Sequence, residues 1–132
     1  MSGSILQDKK HQAGLRSTED AHQATLDPET IAKLKSYGDE FVAELVGLYL
    51  KQLDLRLAEI CLAVDGQRAA ELRESAHALK GSSANLGAAR MLGLCSQLEL
   101  AARSGDLTAA PALFDEIQRE AQAVRDALHN LS

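Results

Sequence analysis

Apolar residues along this chain recur at helical, not strand, spacing. From Asp39 onward Val42, Leu45, Val46, Tyr49, Leu53, Leu57, Ile60 and Val64 follow one another at mostly three- and four-residue steps. That period lays one stripe along a single helix face, and Asp65-Gly66 ends it. A third helix is expected from about Gln67 to Asn85, with Leu72, Ala76, Leu79, Ser83 and Leu86 on its inner face and Gly87 as its stop. A fourth covers about Ala88 to Ser104 through Met91, Leu92, Cys95, Leu98 and Ala102, and ends at Gly105. The fifth begins between Asp106 and Pro111 and repeats Ala110, Leu113, Phe114, Ile117, Ala121, Val124, Leu128 and Leu131. Pro111 fits only the first turn of such a helix. Ahead of these, Asp27-Pro28 reads as an N-cap and first helical position. It opens a short helix with Ile31 and Leu34 on one side, stopping at Tyr37-Gly38.

One short helix and four longer ones, joined by very short connections, force neighbours to run antiparallel. The expected fold is all-α: an antiparallel up-down-up-down four-helix bundle with a short N-terminal accessory helix. It occupies residues 26–132. Residues 1–25 are polar and without a sustained period, and read as a tail or linker.

Composition narrows the class. The chain has 132 residues, about the size of one domain, and 3% aromatics, which argues against an all-β fold. Its net charge of -5 speaks against a nucleic-acid binder. Lys9, Lys10 and Arg16 balance Asp8, Glu19 and Asp20 in the tail, so the body carries the whole surplus of acid. No apolar run approaches the ~20 residues of a membrane span, and the N-terminus has no signal-peptide pattern. Cys61 and Cys95 fall in apolar stripes far apart and read as two buried free thiols of a reducing cytoplasm. There is no Gly-rich phosphate loop, and His11, His22, His77 and His129 share no metal-ligand spacing.

Candidate chemistry lies on the third helix. At ~100° per residue, with His77 at zero, the apolar face centres near ~220°, so His77 points to solvent. Ala70, Arg73, Lys80, Gly81 and Ala84 share its outer face, and three of these five are small. Glycine within a helix costs ~1 kcal/mol relative to Ala, and close approach by another surface explains Gly81. Cations beside an exposed imidazole suit a phosphoryl group, whose charge is spread over three oxygens. The strip, with Arg73 and Lys80, reads as locally basic and free of acid. Across the hairpin turn at Gly87, residues near Gln97 to Glu99 return to the level of His77. A carboxylate at Glu99 is placed to accept the Nδ1 proton, leaving Nε2 as nucleophile. Arg103, one turn on, pairs with Glu99 or reaches toward the phosphoryl group.

Each residue alone has a plainer reading: a solvated histidine, a solubility lysine, a packing glycine, a weak surface ion pair. Taken together, His77-x-Leu79-Lys80-Gly81-Ser82-Ser83 followed by Leu86-Gly87 resembles the signature of histidine-containing phosphotransfer (HPt) domains of bacterial phosphorelays. The resemblance runs over about residues 27–131, including Leu98-Glu99 and the Ser104-Gly105-Asp106 turn.

It implies that His77 is phosphorylated on Nε2, that Lys80 stabilises the phosphoryl group, that Gly81 gives access, and that Glu99 hydrogen-bonds the histidine. Arg103 matches a basic position found in only some members. Arg73 and Ala84 belong to the docking strip. The implied partners are receiver domains, which dock on the strip with small and apolar surface of the second and third helices. They also carry the Mg²⁺, and no cofactor is expected on this chain. A cytoplasmic monomer without ATP-dependent kinase activity of its own is expected. Two other readings stay open: a receiver-binding scaffold that no longer transfers phosphate, and a domain of a hybrid or chemotaxis-type histidine kinase labelled by an ATP-binding domain.

Overall fold

The computed structural model describes residues 24–131. Among them there are five helices and no strand: α1 (Pro28–Lys35), α2 (Asp39–Asp65), α3 (Ala69–Asn85), α4 (Ala89–Ser104) and α5 (Ala110–His129). The loops between them are three to five residues long. Helices α2 to α5 pack in sequence, and α2 also packs on α5, which closes the four into an antiparallel bundle. The short α1 lies against α2. The expected polar tail lies outside the described residues up to Gln23. Its last two residues belong to the body, because the Arg90 amide donates to the Ala24 carbonyl at 3.1 Å.

Local chemistry sets the helix ends. Asp27 caps α1 by accepting from the Thr30 amide at 3.3 Å and the Thr30 hydroxyl at 2.7 Å, with Pro28 in the first turn. The third helix starts at Ala69, two residues later than its apolar pattern implied. Gln67 takes the left-handed conformation (φ 54°) and so turns the chain before a helix can begin. Gly87, at φ 69°, sits so close to Thr30 that a Cβ there would lie 2.7 Å from its side chain. Its carbonyl accepts from the Asp27 amide at 2.7 Å. The α3–α4 turn therefore seats the accessory helix, and only glycine fits that turn.

The inner faces are those the spacing predicts. Leu72, Ala76, Leu79, Ser83 and Leu86 are all buried, as are Phe114, Ile117, Ala121, Val124 and Leu128 of α5. On α4 the stripe is rotated slightly. Leu94 and Glu99 are buried, whereas Leu92 is half-buried. Inside the bundle the Tyr49 and Ser83 hydroxyls pair at 2.9 Å, joining α2 to α3, and burial pushes the Tyr49 phenol up to about 12. Both cysteines are free. Cys95 is buried, and its thiol is pushed up to about 12 by desolvation. Cys61 is half-buried rather than buried, because the outer flank of α2 on its side is only partly covered.

Two surface features stand out against this core. On the outer flank of α2, Phe41, Leu48, Leu55 and Leu62 are exposed at seven-residue intervals. On α5, Glu120 is buried to 5% exposure, with Arg90 3.8 Å from Oε1 and no hydrogen-bond partner for Oε2. Burial raises its carboxyl above the usual range, with Arg90 and a hydrogen bond from the Thr25 side chain opposing. A raised folded value means that the charged form weakens the fold. This loss is absent below the ordinary carboxylate range and sets in as pH rises through the folded value. The E120Q variant is expected to be more stable than the parent at pH 7.5 by about 1 kcal/mol, roughly 3 °C in Tm. The gap should narrow toward pH 4, and thermal unfolding across that range checks it.

Candidate functional site

The site is built on two antiparallel helices. Core residues Leu72, Ala76, Leu79 and Ser83 fix the rotation of α3, turning His77 outward with its side chain 67% exposed. Met91, Cys95, Leu98 and Ala102 fix α4 in the same way. Their hairpin turn at Gly87 brings residue 99 to the level of residue 77.

Glu99 is the centre of the arrangement. Its side chain is 7% exposed, and both oxygens are engaged. Oε2 lies 2.9 Å from Nδ1 of His77. Oε1 accepts from the Lys80 ammonium at 2.6 Å. Arg103 Nη2 reaches Oε2 at 3.4 Å, a helical i,i+4 pair. The Lys80 ammonium holds the Glu99 carboxyl below the usual carboxylate range against the upward pull of burial, and the bond to His77 adds to the lowering. With a lowered folded value, the stability that Glu99 contributes is present at neutral pH and is lost only as pH falls through that value. An ionised carboxylate only accepts hydrogen bonds, so the proton between the two residues belongs to Nδ1. The lone pair of the neutral ring is then on Nε2, which faces solvent.

The predicted residues fall together, with two changes. Arg73, Gly81 and Ala84 are exposed on the outer face of α3 beside His77. Lys80 does not stand free on that face. Its side chain is 31% exposed and folds inward onto Glu99. The strip is also not free of acid. Glu74 lines one open hollow with Ala70, Arg73, His77, Glu99 and Arg103. Around the helix Glu74 lies ~60° from His77, as near in angle as Lys80. Glu74 lies three positions before His77 on the same side, and that spacing was a sufficient signal. Glu99 lies within the buried face of α4, its charge met by Lys80 and Arg103 and by the Nδ1 proton of His77.

Gly81 has nothing within 4 Å of where its Cβ would stand. Nothing in the fold itself requires a glycine there. Glu74 also borders a second groove, shared with Leu62, Glu59 and Ser75, so it is a common border of that groove and the hollow at His77. Among the described residues, no group of three or more His, Cys, Asp or Glu could hold a metal ion. No helix among them is long and apolar enough to cross a membrane.

Comparison with known proteins agrees with this geometry. The Hpt domain family model matches residues 44–127. The crystal structure of histidine-containing phosphotransfer protein B (HptB) from Pseudomonas aeruginosa PAO1 superposes with a TM-score of 0.76 at 34% identity, covering 81% of this chain and 93% of that one. No curated protein matches the chain. An exposed histidine on a four-helix bundle, its Nδ1 held by a carboxylate, inside a family match that spans most of the bundle, makes this chain a member of the Hpt domain family of histidine phosphotransfer modules.

Proposed function

We propose that this chain is a phosphoryl shuttle between receiver domains: His77 takes the group from a receiver aspartyl phosphate and passes it to the aspartate of a second receiver. The observation that carries this reading is the pairing of an exposed imidazole with a buried, ionised Glu99 at its Nδ1. That pairing directs the lone pair of Nε2 outward, where an in-line attack on phosphorus needs it. The ring sits on a helix locked by its core contacts, so little reorganisation precedes the attack. Lys80 and Arg103, beside the ring, are suited to receive the charge of the arriving oxygens. The partner brings its own acidic residues and Mg²⁺. Aspartyl phosphate and phosphohistidine lie close in energy, so the transfer runs in either direction.

Docking follows from the surface. A receiver approaching Nε2 must settle over Gly81 and Ala84, where bare helix lets it come close. The exposed Leu48, Leu55 and Leu62 of α2 supply the adjoining apolar contact. Bacterial receivers act in the cytoplasm, and this chain is assigned there with them.

Three outcomes are expected. The H77Q variant should fold normally by circular dichroism and take up no label from a phosphorylated receiver; label on that variant would sink the assignment. The G81A variant should be more stable than the parent by about 0.5–1 kcal/mol, because a methyl group meets nothing and the helix gains propensity. Yet it should transfer more slowly, and a bulkier residue at position 81 more slowly still. Unchanged transfer would refute the access role of Gly81. The K80A variant should carry a shorter-lived phosphohistidine by roughly tenfold, the scale of one charge-assisted hydrogen bond. A decay time course of the labelled proteins decides it.

A further inference from the structure

The Glu99 carboxylate holds a cation at each oxygen before any phosphoryl group arrives. Oε1 holds Lys80 at 2.6 Å, while Oε2 accepts from neutral His77 and meets Arg103 at 3.4 Å. The lysine that should serve the phosphoryl group is therefore occupied in the resting protein. Phosphorylation changes this balance through the ring itself.

The lone pair on Nε2 attacks phosphorus, the bond from phosphorus to the aspartyl oxygen breaks, and its electron pair stays on the departing carboxylate. The Nδ1 proton does not move. The ring, neutral before, is now an imidazolium carrying a dianionic phosphoryl group. One positive charge appears 2.9 Å from Glu99 Oε2 at the moment that two negative charges appear above Lys80.

We propose that Glu99 exchanges partners on phosphorylation: the phosphoimidazolium replaces Lys80 as its principal cation, and Lys80 is released to the phosphoryl oxygens. The proposal rests on the phosphotransfer reading of His77 and adds to it a coupling between the ring's charge and the lysine's position. The charged groups facing the ring are Arg73, Glu74 and Lys80 from α3 and Glu99 and Arg103 from α4. Of these, Glu99 is the acid held against Nδ1, while Glu74 lines the open side of the hollow.

At this position, which the resemblance fills with Glu or Gln, a carboxylate holds the Nδ1 proton more firmly than a neutral acceptor. Breaking the bond between phosphorus and Nε2 returns the electron pair to Nε2. With Nδ1 protonated, the leaving group is neutral imidazole; without that proton it is an imidazolate, a far poorer one. An ionised carboxylate can only accept, so it keeps the proton in place. An amide at the same position accepts through oxygen or donates through nitrogen. It therefore also supports the deprotonated, transfer-inert ring. Glu99 thus acts as a positioning residue that keeps the phosphohistidine ready to transfer as pH rises.

The test uses the full chain phosphorylated chemically with potassium phosphoramidate. The Nε2 lone pair attacks phosphorus, the P–N bond of the reagent breaks, and ammonia leaves, so no receiver is needed. Phosphohistidine decay is followed by phosphorus NMR from pH 5.5 to pH 9 for the parent and the E99Q variant. The two should decay alike at the acid end. Above neutrality the E99Q phosphohistidine should outlive the parent's severalfold. In the parent, the Nζ and Cε resonances of Lys80 should also shift on phosphorylation, a readout that needs no variant. Coincident decay profiles, or Lys80 resonances that stay put, overturn the exchange while leaving the shuttle standing. Failure of phosphoramidate to label His77 at all overturns both.

Discussion

A single buried carboxylate organises the functional face of this bundle. Glu99 sits among Leu98, Cys95 and Ala102 on the inner side of α4, where an isolated charge is costly. It is tolerated because Lys80 and Arg103 reach it from either side and His77 offers a proton from above. Remove the carboxylate and those three contacts go with it, leaving His77 without its fixed tautomer and Lys80 without its anchor. The helical hairpin is what makes the arrangement possible. The α3–α4 turn must return the chain so that residue 99 meets residue 77, and the register is set at Gly87, whose left-handed backbone and contact with Thr30 admit no side chain.

The core serves this site by removing freedom. Leu72, Leu79 and Leu86 on α3 and Met91, Cys95 and Leu98 on α4 are buried in one shared core, and the Tyr49–Ser83 hydrogen bond ties α3 to α2. Packed on two flanks, α3 cannot rotate its outer face without opening the core. His77 is thus an exposed group on an immobile base, which lowers the cost of bringing it to a reacting phosphorus. The long side chain of Lys80 supplies the mobility that the backbone lacks.

Much of this was legible in the residues. The α3 face was exact because Leu72, Ala76, Leu79, Ser83 and Leu86 all obey one helical period, and nothing competes with it. The pairing of His77 with Glu99 followed from counting symmetrically about the Gly87 turn, and the motif from the residue types around His77. What the sequence hid were choices made in three dimensions. Lys80 lies at an angle compatible with the outer face, and only the position of Glu99 decides that it folds inward. The burial of Glu99 itself depends on two cations and a ring proton drawn from two helices, which no single-helix projection contains. The late start of α3 came from Gln67 adopting a left-handed backbone, a conformation with no strong preference written in a glutamine. The standing of Arg73 and Ala84 beside His77, by contrast, needed only their spacing.

The two glycines of α3 and its turn separate what the fold requires from what the site requires. At Gly87 a Cβ meets Thr30 at 2.7 Å and the backbone is left-handed, so the fold alone forbids a substitution. At Gly81 the helix is regular and the space above it is empty, so the fold alone would favour alanine. A helix that carries a weaker former at an open position, one turn after its reactive histidine, gives up a little stability where no internal contact is gained. The only thing that can use that bare strip is a surface arriving from outside. The same logic applies to Leu62, which is 68% exposed on the groove that shares Glu74 with the hollow at His77. Both departures from the most stable free domain, Gly81 on the outer face of α3 and Leu62 on the groove that shares Glu74 with the hollow, thus border the reactive histidine.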